Sequence, residues 1–526
     1  MSRRQATGAT CARDSRERAR LPRAPRHFRF PAVTCLAGFV VLLAAPVVRA
    51  QDAGATADAT VAGGWTVDSG VAADQDAATS PPQQAASPSD PLTETAADPP
   101  SSAPTPALAV SPEAAPEEAA AVQIDSRGEL GLETRVFWPD GDALTKDWNV
   151  AMVGRLHVNA AAGRLTSKAR MFVRHDQQDR ERSVLIPEEL WLDLDLSPLR
   201  LRAGYQMLNW TATEAFHPAD VLNSRYFDSA IENPEKLGEP MVSARLEIPH
   251  GSVEAMFMPV FVEPIFPSRR SRQRFAPPGV ALGEPIVIGR GGDMVSGSGP
   301  YRFAPQGALR LQQTWGSADI GLHGIAHVDR SYPYVIFDPA SNLPRAVFLP
   351  VIQTGATYQQ AAGAWLMKLE LAYRWYQRPS AGTLPEGVPP VPDRDHFLGA
   401  AGLEYSLPHG GGSESTLLLE GQLFVPRDRD VPRVLAPLFQ HDVLLGIRHA
   451  LNDESSRTVT AVVIVDVVRP QEIFASASYG QRLGETWGLA VGVRFVRIPP
   501  RDPATPAAFE WLDKSHQAYA NLLRHF

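Results

Sequence analysis

Two clusters in this 526-residue chain hold side chains suited to handling ions. Asn209, Trp210, Glu214, His217 and Asp220 fall within one segment, which places an amide, an indole, two carboxylates and an imidazole close together. In a long loop folded into a water-filled lumen, these acids would narrow the passage and disfavour anions by their field and desolvation cost. In an outward-facing loop the same residues would serve local packing. Arg269, Arg270, Arg272 and Arg274 form the second cluster. Four guanidinium groups so close suit an anion-attracting mouth or the phosphates of lipopolysaccharide. A solvated basic loop is the plainer reading.

Other candidates are weaker. His323 and His327 would share a helix face, but on a strand they point the same way about 13 Å apart. Glu188 and Glu189 adjoin, so on a regular strand they face opposite sides and form no carboxylate pair. Asp140-Gly141-Asp142 suits a turn better than a calcium loop. The sequence contains no His-Glu-x-x-His, Gly-x-Ser-x-Gly, Walker or Gly-x-Gly-x-x-Gly pattern. We therefore expect no catalytic residues, no metal and no cofactor.

The elements that must position these residues are strands. From Gln123 onward, short segments alternate apolar and polar residues. In 364–376, Trp365, Met367, Leu369, Leu371, Tyr373 and Trp375 share one face, and Lys368, Glu370, Ala372 and Arg374 the other. Similar alternation at 148–159 and 189–196 puts Arg155, Asp193 and Asp195 on the polar face, and Arg200, Arg202, Arg374 and Glu370 join them there. About eighteen such segments occur, starting near residues 128, 148, 163, 188, 199, 241, 252, 306, 318, 350, 364, 395, 413, 442, 456, 472, 487 and 516. Short and long connections alternate between them; the long ones are 210–240, 261–305, 328–349, 377–394, 425–441 and 498–515. This predicts an all-β fold, a transmembrane antiparallel up-and-down barrel with its apolar face to lipid and its polar face to the lumen. The charges of that polar face are mixed, so the sequence assigns it no strong ion selectivity. Phe526 ends the chain as an aromatic insertion signal on a closing strand over 516–526; a helix is the competing reading of that stretch.

Composition supports the same class. Pro and Gly number 47 and 40, which argues against long helices. Residues 1–50 are Arg-rich, then apolar from Pro31 to Val48, then small at Ala50, the order of an export signal cleaved near Ala50. Both cysteines, Cys11 and Cys35, fall within it. Residues 51–122 hold eleven acids and no Lys or Arg among Ala, Pro, Ser and Thr, so a disordered linker is expected. Ten of the 50 basic and two of the 58 acidic residues lie in 1–50. The remainder carries a net charge of −16, which sets nucleic-acid binding aside.

The stretch Gly204 to Asn223, GYQMLNWTATEAFHPADVLN, resembles a family of proteobacterial outer-membrane barrels of largely unknown function, itself similar to alginate-export porins. The resemblance continues through Trp365–Trp375, Phe397–Leu407, His441–Asp453 and Ser476–Phe495, and covers most of 125–526. Where that family often has Trp-Gly-Glu, this chain has Trp210-Thr211-Ala212-Thr213-Glu214. The resemblance implies a porin-like protein of the bacterial outer membrane, with no established substrate. The expected function is a channel or exporter for polar solutes. Its expected partners are outer-membrane lipid, lipopolysaccharide and the barrel-assembly machinery. The alternatives are a plugged structural or adhesive barrel tethered by the linker, or a barrel hydrolase.

Overall fold

The computed structural model describes residues 122–138, 142–231, 234–331, 334–428, 437–502, 506 and 508–526. The expected signal segment, the linker up to residue 121, and Asp140-Gly141 lie outside the described residues.

Eighteen strands form one closed sheet with antiparallel neighbours. They begin with β1 (Gln123–Trp138), β2 (Trp148–Ala162), β3 (Leu165–Asp176), β4 (Val184–Leu196), β5 (Leu199–Gln206) and β6 (Glu239–Ile248). Next come β7 (Gly251–Val262), β8 (Tyr301–Trp315), β9 (Ala318–Val328), β10 (Pro350–Ala362), β11 (Trp365–Tyr376) and β12 (His396–Pro408). The last six are β13 (Glu414–Pro426), β14 (Asp442–Ala450), β15 (Thr458–Asp466), β16 (Ile473–Leu483), β17 (Trp487–Arg497) and β18 (His516–His525). β18 is the strand reading of the C-terminal stretch, and it pairs with β1 from Glu129↔His525 to Trp138↔His516. Phe526 extends this seam: its N–H donates to Gly128 O (2.9 Å) and it accepts from Gly128 N–H (2.8 Å). The ring lies over Gly128, where a Cβ would sit 2.6 Å from it. Closure leaves no free sheet edge, so every strand backbone is paired without water.

Period-two patterning sorts the side chains. On β11, Trp365, Met367 and Trp375 are exposed outward, while Lys368, Glu370, Ala372 and Arg374 are buried inward. The exterior is an apolar belt that includes Leu132, Met152, Leu192, Phe257, Leu322, Leu419 and Leu445. Exposed Trp315, Trp365 and Trp487 sit beside the short turns, and Trp138, Trp148 and Trp375 beside the opposite connections. Trp365 and Trp375 bracket one strand; ten residues at about 3.3 Å each, tilted about 40°, span about 25 Å of height, which matches the apolar band of a membrane barrel. Two glycines with positive φ, Gly316 and Gly363 (both 62°), make tight turns that a Cβ would strain.

The opposite connections are long, with three exceptions: 139–147, 177–183 and 467–472 are short, so the alternation of loop lengths is incomplete. Segments 263–300 and 329–349 are joined in a small sheet. In it Ile286–Val287 pairs in parallel with Val347–Phe348, and Tyr334–Asp338 runs antiparallel to Leu343–Phe348. Ile286, Ile288, Ile336, Val347 and Leu349 pack there with Val391 of the 377–395 connection.

Candidate functional site

The barrel interior has two unlike walls with a loop between them. On β1–β5 many inward positions are charged, interspersed with Ala151, Val153, Phe172 and Ile186. Arg155 binds Glu188 (2.9 Å) and Glu129 (3.0 Å). Arg170 also reaches Glu188 (2.9 Å), and Lys168 binds Glu189 (3.1 Å). Arg182 meets Asp176 (2.8 Å) and Glu133, and Arg174 binds Glu133 (2.8 Å). Asp193 receives Arg200 (3.0 Å) and Arg202 (2.9 Å), and Arg202 stacks over Trp191 at 4.0 Å. Buried charges persist when paired, and each of these charges has an opposite partner, although Nε and Nη1 of Arg174 and Nε of Arg182 are buried without a hydrogen bond.

Glu188 and Glu189 correct the sequence expectation. Both are buried and both bind inward bases. The register shifts here, with Arg170 opposite Glu189 and Met171 opposite Pro187, so Glu188 is the extra residue of a bulge. A bulge breaks strict alternation and lets neighbouring side chains converge.

On β12–β17 many inward positions are apolar, although Glu404, Glu420, Asp442, Asp466 and Arg494 are also buried there. Ala400, Leu418, Leu444, Val462, Ile464, Phe474 and Val496 form one buried cluster with Phe216 and Ile231. The sequence reading missed this wall. Its signal was present, since Val462-Val463-Ile464-Val465 and Leu417-Leu418-Leu419 put apolar residues on both faces of a strand.

The connection between β5 and β6, residues 207–238, folds into the barrel and touches both walls. Two inward carboxylates hold its first half. Glu370 accepts from the N–H groups of Ala212 (2.6 Å), Thr213 (3.0 Å) and Ala219 (3.0 Å) and from the Thr213 hydroxyl (2.7 Å). Glu420 accepts from the N–H groups of Glu214 (2.7 Å), Ala215 (3.0 Å) and Phe216 (2.8 Å). Gln353 and Arg374 donate to Pro218 O at 3.2 and 3.3 Å, and Arg374 also donates to Gln353 Oε1 (2.7 Å). The second half reaches the charged wall. Asp228 binds Arg135 (2.9 Å), and Tyr226 donates to Arg182 O (3.2 Å) and lies under Arg174.

The candidate residues fall as follows. Asn209 is exposed and accepts from the Thr211 hydroxyl (2.8 Å). Trp210 is buried beneath Arg310 (5.0 Å) and beside His323. Glu214 pairs with Lys368, which also meets Glu404. Asp220 binds Lys236 (2.7 Å) and Arg225 (2.8 Å). Burial alone would raise the Asp220 carboxyl, but these two cations hold it down to about 2. Burial pushes the His217 imidazole down to about 3, with Nδ1 4.0 Å from Glu370 Oε1. The loop's acids thus meet cations of the protein. The arginine run divides: Arg269 reaches Glu181 (3.3 Å), Arg272 binds Asp147 (2.6 Å), Arg274 donates to Ser271 O (3.3 Å), and Arg270 is exposed. His323 contacts Gln353 (3.2 Å) and His327 contacts Val328 O (3.1 Å).

No family model matches this chain, and no curated protein does. Among solved structures it is similar to OmpT, an outer membrane protein of Vibrio cholerae, at 11% identity and a TM-score of 0.36. It is also similar to a mutant of Rh. blastica porin, at 10% identity and a TM-score of 0.34. Each likeness covers 77% of this chain and 100% of the other. Values this low transfer no function.

Proposed function

We propose that this protein is a porin-like barrel of the bacterial outer membrane whose passage is closed by the 207–238 loop and opens when that loop moves. The observation that carries the reading is the pair Glu370 and Glu420, which gathers six backbone N–H groups of the loop inside a barrel of eighteen strands. A barrel of this strand number has room for a water-filled channel once nothing occupies it. The apolar belt and its Trp girdles support placement in a bilayer, with lipid, lipopolysaccharide and the assembly machinery as partners. The solutes of the open state are polar, because the charged wall of β1–β5 would then meet water.

The anchoring of the loop also favours a second reading, a permanently plugged structural barrel. Conductance in planar bilayers separates the two. Replacing residues 211–219 by a short Gly-Ser link should convert a mostly silent protein into one with frequent discrete steps. A folded, inserted variant that stays silent would leave the structural reading standing.

A further inference from the structure

Beside the loop lies a cavity of about 130 Å³. Its lining includes Phe216, Phe227, Ile231, Phe275, Phe439 and Phe509, drawn from four connections. The rings meet edge to face: Phe216–Phe439 at 5.5 Å, Phe227–Phe275 at 5.6 Å and Phe275–Phe509 at 5.3 Å. Edge-to-face packing leaves ring faces and edges for a further aromatic group. An apolar cavity of about 150 Å³ accepts a benzene-sized guest and stays dry without one. The volume here therefore suits a single six-membered ring.

The lining also holds Asp220, Arg225, Ser331, Arg374 and Gln422, and two further polar residues, Gln273 and His217, carry buried atoms without a hydrogen-bond partner. Gln273 is almost fully buried, and its Oε1 accepts from Arg135 Nη1 (2.9 Å). That bond fixes the amide orientation, and Nε2 is left buried without a hydrogen-bond partner. His217 Nδ1 is likewise buried and unpartnered. Burial holds this imidazole neutral at pH 7, so one ring nitrogen keeps a lone pair. Unsatisfied buried polar atoms are few in native proteins and costly. A hydroxyl accepts one hydrogen bond and donates another, which suits an amide N–H and an imidazole lone pair together.

We propose that this cavity is a binding site for a small monocyclic phenol, its ring among the phenylalanines and its hydroxyl toward Gln273 and His217. The site rests on the docked position of the loop, which contributes Phe216, His217, Phe227 and Ile231 to it, but binding is read without any measurement of conductance.

The test is fluorine NMR of 4-fluorophenol and fluorobenzene with the full-length mature barrel in nanodiscs, against empty nanodiscs. Wild type should bind 4-fluorophenol saturably, and more tightly than fluorobenzene. Gln273→Leu should weaken 4-fluorophenol by about tenfold, the scale of one lost buried hydrogen bond, and leave fluorobenzene unchanged. Phe275→Trp should abolish both by filling the cavity. Ala230→Leu, on the loop side of the lining, should do the same if Phe275→Trp does not fold, with folding read from heat-modifiable migration. Binding no greater than to empty nanodiscs would overturn the proposal. Binding that survives a folded cavity-filling variant would overturn it as well. Equal loss of both probes in Gln273→Leu would overturn the assignment to phenols.

Discussion

Along β1–β5 the inside of the barrel is a lattice of guanidinium and carboxylate groups, from Glu129 and Arg155 to Asp193 and Arg202. Along β12–β17 it is Leu418, Leu444, Val462, Ile464, Phe474 and Val496. The same loop meets both, presenting Tyr226 and Asp228 to the first and Phe216 and Ile231 to the second. The difference shows that one loop is held by ion pairs on one side and by apolar packing on the other. The charged wall is sensitive to removal of a single partner, whereas the apolar wall loses only area and packing. Glu370 lies on β11 beside the apolar wall and Glu420 on β13 within it, and the loop backbone is the partner of each carboxylate.

The contrast should break first on the charged side. Arg182→Met leaves Asp176 without its cation and Glu133 with Arg174 alone, and should cost about 3–5 kcal/mol, the usual penalty for stranding one member of a buried pair. Thermal melting with Arg182→Lys as the control would measure it. On the apolar side, Leu418→Ala should cost about 2–4 kcal/mol through a cavity, with no change in the salt dependence of melting. A salt dependence equal to that of Arg182→Met would erase the distinction between the walls.

Acid sharpens the comparison at the loop. His217 is held near 3 against an ordinary value near 6.5, so the docked loop binds fewer protons than the released loop. The His217 contribution to docking is therefore undiminished above pH 6.5 and falls away as pH drops toward 3, by about 2 kcal/mol at pH 5. Asp220 acts in the same direction only below about pH 4, because its docked value is near 2. His217→Asn should remove this contribution, so that between pH 7 and pH 5 the opening frequency of the parent gains on that of the variant. The smallest effect belongs to exposed Arg270, whose replacement by alanine should shift stability by no more than about 0.5 kcal/mol.

Much of the frame was legible in the sequence. Period-two alternation in 364–376 placed Lys368, Glu370 and Arg374 inward, because a strand beside a bilayer has an apolar exterior that the sequence must write out. The starts of β2, β5, β9 and β17 stand at the expected residues, where tight turns and Trp positions mark them, and those of β10 and β18 match as well. The interior was less legible. Alternation fixes which face a residue takes but not what it meets there, so nothing identified Glu370 and Glu420 as partners of the loop backbone about 150 and 200 residues away. The apolar wall was hidden because inward and outward leucines look alike in sequence. The bulge at Glu188 was hidden because one inserted residue leaves no local mark.

The most direct test of the closed-loop account is single-channel recording of the purified mature protein beside its Glu370→Gln, Glu420→Gln double variant, in planar bilayers under a salt gradient. Each amide substitution replaces an acceptor oxygen by a donor facing backbone N–H groups, at about 1–3 kcal/mol for each group left unsatisfied. The account predicts a wild type that is mostly silent at pH 7 and a double variant that opens at least about tenfold more often. A folded double variant as silent as the wild type, or a wild type that conducts steadily with its loop docked, would contradict it.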